Sequence, residues 1–577
     1  MPHILSLPPF SLSPESIKRV EETLSRFSLE EKIRSLFILL SNGSDEGAIR
    51  EISDFGPSGI RYNPMGGEAL HSFLSSLQSK AKIPYLVAAN AEEGGNGAFL
   101  GGTYVASPAK LGSTGDPSLA YEAGKLVGKE AKSVGVNTVF APVSDILYEF
   151  RNPVIPTRCY GSDPRRVAEF ATSYLKGILE EGVIPCPKHF PGDGVDERDQ
   201  HLSPSCNTFS KKRWDDSYGR VYSSLIQNGA PMVMVGHIAL PSYQTENEPI
   251  LPATLSADLL QGLLRGRLGF NGVIVSDATH MVGLTSFGKR RSLLPRMLNA
   301  GIDLILFAND IEEDVAFLRE AVLAGELPIS RIEEALLRVL GLKEAFGLLG
   351  SPQLPASFIP PAPSPLPGIC ASKGIVLVKE EPGVLPLSPK KAKRVLLVEE
   401  STENPFAFLY PPRPSLAQRF AALLQKEGFE VEIFASVMDQ ALKAPQEEAR
   451  KMIGNIYNQK TPISHLTSRF DLVIHLAQID THNTTSRISW KMSKGTADIP
   501  WYVEEIPTIL VSFKNPFHLF DAPQIKTYVN CFDANPITFR ALLDKLMGRE
   551  PFFGEDVFSA GALDPFTQPS RFKEERK

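Results

Sequence analysis

The chain lacks the usual metal-ligand patterns. Its 577 residues contain no His-Glu-x-x-His, no cysteine cluster and no calcium loop, so no metal site is expected. No Gly-x-x-x-x-Gly-Lys phosphate loop occurs, and no cofactor is expected. Cysteine is scarce. The five cysteines are scattered at 159, 186, 206, 370 and 531, odd in number and never spaced Cys-x-x-Cys, which argues against a disulfide framework. Basic charge is not in excess either. A formal net charge of −6 gives no broad field to attract nucleic acid or anionic lipid. No apolar run is long enough to cross a bilayer. The opening MPHILSLPPFSLSPES has no basic stretch, and prolines interrupt its apolar part, so it does not read as a signal peptide. These absences point to a reduced, cytoplasmic compartment, with no membrane and no nucleic-acid partner. The oligomeric state is left open.

What is present is organised in two parts. Residues 351–368, SPQLPASFIPPAPSPLPG, include seven prolines and read as a stiff linker, because such a stretch continues neither a helix nor a central strand. They separate residues 1–350 from residues 369–577. In the first part, short apolar runs alternate with helical segments. The runs are Leu36–Leu40, Gly59–Tyr62, Tyr85–Ala88, Thr138–Ala141, Val183–Cys186, Met232–Val235, Val273–Val275 and Ile302–Phe307. Eight buried strands alternating with helices predict a parallel (β/α)8 barrel of the TIM type. In the second part, strands are expected at Ile375–Val378, Arg394–Val398, Val431–Phe434, Leu472–His475, Ile509–Ser512 and Tyr528–Cys531. With helices near Leu416–Gln425 and Ile537–Met547, this reads as a smaller α/β sandwich with a mostly parallel sheet. The charged tail SRFKEERK is expected to fray.

Polar residues gather where the barrel strands end: Asn90, Asp145, Lys188, His189, His237 and Asp277. In a barrel those ends converge on one face, where sites are built. In CPKHFPGDGVDERDQHLSP, Lys188 and His189 offer donors to a polyhydroxylated ligand. Asp199 stands two residues before His201, a spacing that can orient an imidazole and raise its proton affinity. Asp277 closes a buried strand and reads either as a nucleophile or as the N-cap of the next helix. Arg158, in NPVIPTRCYGSDP, either meets a ligand or pairs with Asp145 or Asp163. Asn90, Glu92 and Glu93 lie in a glycine-rich loop that lets backbone approach a ligand. His237 either lines the pocket or is a core histidine. His475, His482 and Arg487 belong to the second part.

In this order, SLEEKIRSLF, IPYLVAANAEEGG, FAPVSDI, NPVIPTRCYGSDP, KHFPGDG, GHIALP and LPATLSADLLQGLLRGRLGFNGVIVSDA resemble glycoside hydrolase family 3, and its β-N-acetylglucosaminidase (β-N-acetylhexosaminidase) branch in particular. GIVLVKEEPGVLPL resembles the opening of that family's C-terminal sandwich. The resemblance implies a retaining, exo-acting enzyme that hydrolyses terminal β-linked N-acetylhexosamine. It places the nucleophile on Asp277 and an acid/base dyad on His201 and Asp199. Arg158, Lys188 and His189 are implied to hold the sugar, with Asn90 one residue out of register from the family's substrate-binding aspartate. Asp193 and Ala278 depart from the branch's histidine and its frequent second aspartate. A small carbohydrate is the implied substrate, with cell-wall recycling one setting for it. A β-N-acetylglucosaminide phosphorylase and a β-glucosidase are the alternatives within the family. A Lys188 Schiff-base aldolase and a non-catalytic sugar-binding protein lie outside it.

Overall fold

A computed structural model describes residues 2–246, 249–350, 354–402, 414–458, 462–479, 487–490 and 498–560. The tail SRFKEERK and His482 lie outside them. The chain forms two compact units. One comprises Met1–Pro108 and Asp116–Leu366; the other comprises Ala109–Gly115 and Pro367–Lys577.

The first unit is a barrel of eight parallel strands: β1 (Phe37–Ser41), β2 (Gly59–Tyr62), β3 (Leu86–Ala89), β4 (Thr138–Val139), β5 (Ile184–Pro185), β6 (Met232–Val235), β7 (Val273–Ala278) and β8 (Leu304–Leu306). Their order in the sheet is β5-β4-β3-β2-β1-β8-β7-β6. The ring is completed just beyond β5. Phe190 N donates to Met234 O (3.0 Å), Met234 N to Pro187 O (2.9 Å) and Gly236 N to Phe190 O (2.8 Å). Strands buried on both faces read as near-continuous aliphatic runs, which is why they stand out in the sequence. Three ladders, β4, β5 and β8, are shorter than expected. Pro142, Pro185 and Pro187 have no N–H to donate, so regular pairing at β4 and β5 stops early. β7 is longer than expected and takes in Asp277.

Ile38, Leu86, Ile184, Met232, Val275 and Leu304 fill the lumen, and Leu5 and Phe10 of the N-terminal segment join the same buried cluster. Asn271 Nδ2, just before β7, donates to Ile4 O at 2.7 Å, so this plug sits at the N-terminal end of the strands, the foot of the barrel. Part of the proline-rich stretch also packs on this unit. The Phe358 ring meets Phe99 edge-on with centroids 5.6 Å apart, and His71 Nε2 bonds to Pro355 O at 2.8 Å.

The second unit is built on a six-stranded sheet: β9 (Val376–Lys379), β10 (Arg394–Ser401), β11 (Glu430–Ile433), β12 (Leu472–Gln478), β13 (Thr508–Ser512) and β14 (Thr527–Asn530), in the order β9-β14-β13-β12-β10-β11. Only β9 runs antiparallel to its neighbour. Helices Leu416–Lys426 and Pro536–Leu546 cover one face through Phe420, Leu424, Phe539 and Leu542, and Tyr502, Ile506 and Ile525 pack on the other. Among the described residues, no helix of either unit is long and apolar enough to cross a membrane.

Candidate active site

Parallel strands deliver all their C-terminal ends to one face, so residues far apart in sequence meet there. The ladder continues past β5 in altered form. Lys188 N donates to Pro142 O (3.1 Å) and Ser144 N to Lys188 O (2.6 Å), which sets Asp145 beside His189. Asp145 is fully buried. It accepts from His189 Nδ1 at 2.7 Å, from His189 N at 3.2 Å and from Asp193 N at 2.8 Å. A carboxylate can only accept here, so Nδ1 carries the proton and Nε2 is left for another partner.

Lys188 and Arg158 converge on Glu92. Lys188 Nζ lies 2.6 Å from Glu92 Oε1 and 3.4 Å from Asn90 Oδ1. The Arg158 fork donates to both carboxylate oxygens, Nε to Oε2 at 2.9 Å and Nη2 to Oε1 at 2.7 Å. Burial disfavours the charged forms of Glu92 and Arg158. The pair, with Lys188 beside it, outweighs that cost, holding the Glu92 carboxyl well below the usual range and Arg158 above its own. Neither partner expected for Arg158 takes it. Asp145 is occupied by His189, and Asp163 caps helix Pro164–Glu180 by accepting from Arg165 N at 2.9 Å. Glu92 lies 66 residues before Arg158, and nothing local in the sequence announces the pair.

Asp277 lies inside β7. The following helix, Val282–Thr285, has Met281 at its N-cap, which removes the cap reading of Asp277. Its Oδ1 accepts from Ala278 N at 2.8 Å; among the described residues no donor reaches Oδ2. Burial favours the neutral acid. The imidazoles of His189 and His237, the Ala278 amide and His201 outweigh this, and the carboxyl sits below its ordinary range. His237 has no free nitrogen. Its Nε2 donates to Ala278 O (3.1 Å), so Nδ1 accepts from Thr254 Oγ1 (2.9 Å), and burial keeps the ring neutral.

Asp199 and His201 are joined as their spacing suggests. Asp199 Oδ1 accepts from His201 Nδ1 at 2.6 Å and from His201 N at 2.8 Å. The His201 side chain is 51% exposed and that of Asp199 8%. The bond to Asp199 raises the His201 pKa against the opposing effect of burial, with Asp199 and Asp277 adding attraction. Asp193, which departs from the branch pattern, is buried. Burial and then Asp145 push its carboxyl upward.

The sequence profile described as "Glycosyl hydrolase family 3 N terminal domain" matches residues 67–342. The chain is 36% identical over 571 residues to a beta-N-acetylglucosaminidase/beta-glucosidase of Cellulomonas fimi, covering 96% of this chain and 98% of the relative. The chain belongs to glycoside hydrolase family 3. Among solved structures, this glycoside hydrolase is similar to a beta-glucoside phosphorylase with a TM-score of 0.85 and 36% identity, covering 96% of this chain and 98% of that one. It is also similar to a family 3 beta-N-acetylglucosaminidase from Paenibacillus with a TM-score of 0.76 and 26% identity, covering 92% of this chain and 99% of that one. The barrel followed by an α/β sandwich is the architecture these neighbours share. The substrate of the enzyme is therefore a carbohydrate.

In the second unit, His475 is a buried residue of β12 with Nε2 2.9 Å from the Tyr502 hydroxyl, and Arg487 Nε donates to Asp521 Oδ1 at 2.7 Å.

Proposed function

We propose that the enzyme is a retaining, exo-acting β-N-acetylglucosaminidase. Asp277, ionised and with one oxygen unbonded, attacks the anomeric carbon and forms a covalent glycosyl-enzyme. His201, kept protonated by Asp199, gives its proton to the departing oxygen. As a neutral base it then takes a proton from the water that releases the sugar. Lys188 and Arg158 spend some of their N–H groups on Glu92 and direct others, with His189 Nε2 and Asn90, at sugar hydroxyls. The observation that carries this reading is the Asp199–His201 pair, bonded at 2.6 Å and electrostatically coupled to Asp277. The sugar class rests on that dyad and on the named activities of the Cellulomonas and Paenibacillus relatives.

A second reading concerns the acceptor. An imidazole acid/base repels an anion less than a carboxylate would, and a structural neighbour matched over 98% of its length is a beta-glucoside phosphorylase. Phosphate in place of water would release a sugar 1-phosphate. One experiment covers both readings: a panel of aryl β-glycosides, with and without phosphate, followed by NMR of the first-formed product. A β-configured N-acetylglucosamine product supports the hydrolase. Sugar 1-phosphate supports the phosphorylase, and faster turnover of glucosides moves the sugar assignment. An α-configured sugar formed from water would overturn the retaining mechanism. We place the enzyme in the cytoplasm, where its five free thiols, Cys159, Cys186, Cys206, Cys370 and Cys531, stay reduced, with cell-wall fragments as one source of substrate.

A further inference from the structure

Gln200 lies between Asp199 and His201, yet its side chain is fully buried whereas that of His201 is half exposed. We propose that Gln200 is a positioning residue for proton transfer, latching the loop that carries His201 onto the ends of β6 and β7. This rests on the reading of His201 as the acid/base.

The amide orientation follows from its partners. His237 N, a backbone donor, points at Gln200 Oε1 at 2.8 Å, so the other end is Nε2, which donates to Asp193 Oδ2 at 3.3 Å. The backbone of the same loop is held by the helix after β7: Gly283 N donates to Gln200 O at 2.9 Å and Val282 N to His201 O at 3.1 Å. Two glycines make room. A Cβ on Gly283 would stand 2.7 Å from Gln200 O, and one on Gly236 3.1 Å from Gln200 Oε1. Asp193 is fixed in turn by Asn152 Nδ2 at 2.9 Å, and its own N–H donates to Asp145, the carboxylate that orients His189. One buried amide thus joins the proton-transfer loop, the His237 backbone beside Asp277 and the Asp145–His189 pair. The Asp199–His201 bond is local and does not involve the Gln200 side chain. What the latch supplies is the placement of that pair against Asp277.

This separates a positioning role from a general structural one. Protonation of the leaving group matters for a poor leaving group and hardly at all for a very good one. For Gln200→Ala, kcat/KM for phenyl β-N-acetylglucosaminide is expected to fall by about ten- to a hundredfold, while that for the dinitrophenyl glycoside stays within about twofold. Gln200→Glu retains the length and the acceptor for His237 N but sets a second carboxyl against Asp193. Its deficit on the phenyl glycoside, relative to the wild type, should shrink as pH falls and one of the two carboxyls takes up a proton. His201→Ala is the control and should show the leaving-group split more strongly. If His201→Ala shows no split, the acid/base reading itself fails. If it does, but Gln200→Ala lowers both substrates equally or neither, the latch alone is overturned. A Gln200→Glu deficit that is the same at every pH also counts against it.

Discussion

Two buried aspartates stand at opposite ends of neighbouring barrel strands. Asp303, 0% exposed, lies at the foot just before β8; Asp277, 9% exposed, lies at the mouth in β7. Burial opposes ionisation of both; the arginines beside Asp303, and the imidazoles with the Ala278 N–H beside Asp277, hold both below the ordinary carboxylate range. They differ in saturation. Asp303 Oδ2 accepts from Arg265 Nη2 at 2.7 Å and Ile274 N at 2.9 Å, and its Oδ1 accepts from Arg331 Nη2 at 2.7 Å. Among the described residues, Asp277 receives one bond, from the next residue's N–H, and no donor reaches its second oxygen. A buried carboxylate with both oxygens engaged by donors stabilises a fold; one with an oxygen left unpaired points to function.

Exchanging the two residues one at a time tests that contrast. The largest effect belongs to Asp277→Asn. Turnover of an aryl β-N-acetylglucosaminide should fall by about 10⁴-fold or more, roughly 5 kcal/mol of barrier, with an unchanged circular dichroism spectrum and no loss of melting temperature. Asp303→Asn should do the reverse. It strands Arg265 and Arg331 without their carboxylate and should lower stability by about 3–5 kcal/mol in urea titration, while kcat per folded molecule stays near that of the wild type. If Asp303→Asn loses activity as a folded protein, or Asp277→Asn unfolds, the distinction between foot and mouth breaks.

Smaller effects sharpen the picture at the mouth. The active form for the first step has Asp277 ionised and His201 protonated. Asp277 titrates below its usual range and His201 above its own, so kcat/KM should hold a broad plateau, falling on the acid side as Asp277 takes up its proton and on the alkaline side as His201 loses one. Asp199→Asn removes the main cause of the His201 elevation. The alkaline limb should move to lower pH and kcat/KM should drop by about tenfold on the alkaline side, with the acid limb in place. A pH–rate profile measures both limbs, and an alkaline limb that does not move would detach Asp199 from His201.

Much of the barrel was legible because parallel strands covered on both faces read as unbroken aliphatic runs, as Met232–Val235 and Val273–Val275 do. Where β4 and β5 fell short of those runs, prolines at 142, 185 and 187 are the cause. The Asp199–His201 pair was legible because its geometry is local. The Glu92–Arg158–Lys188 cluster, the engagement of both His237 nitrogens and the Gln200 contacts were not, since each depends on partners brought together only by strand order. The placement of Ala109–Gly115 in the second unit was hidden for the same reason: Lys110 is buried beside Asp533, far along the chain.

The central claim is that the open oxygen of Asp277 becomes bonded to sugar. Reaction with a fluorinated N-acetylglucosaminyl fluoride that slows release of the glycosyl-enzyme, followed by intact-mass measurement and peptide mapping, tests it directly. One added glycosyl unit on the peptide carrying Asp277, absent from Asp277→Asn, is the expected result. A glycosyl unit on any other residue, or none while the enzyme still turns the reagent over, would contradict it.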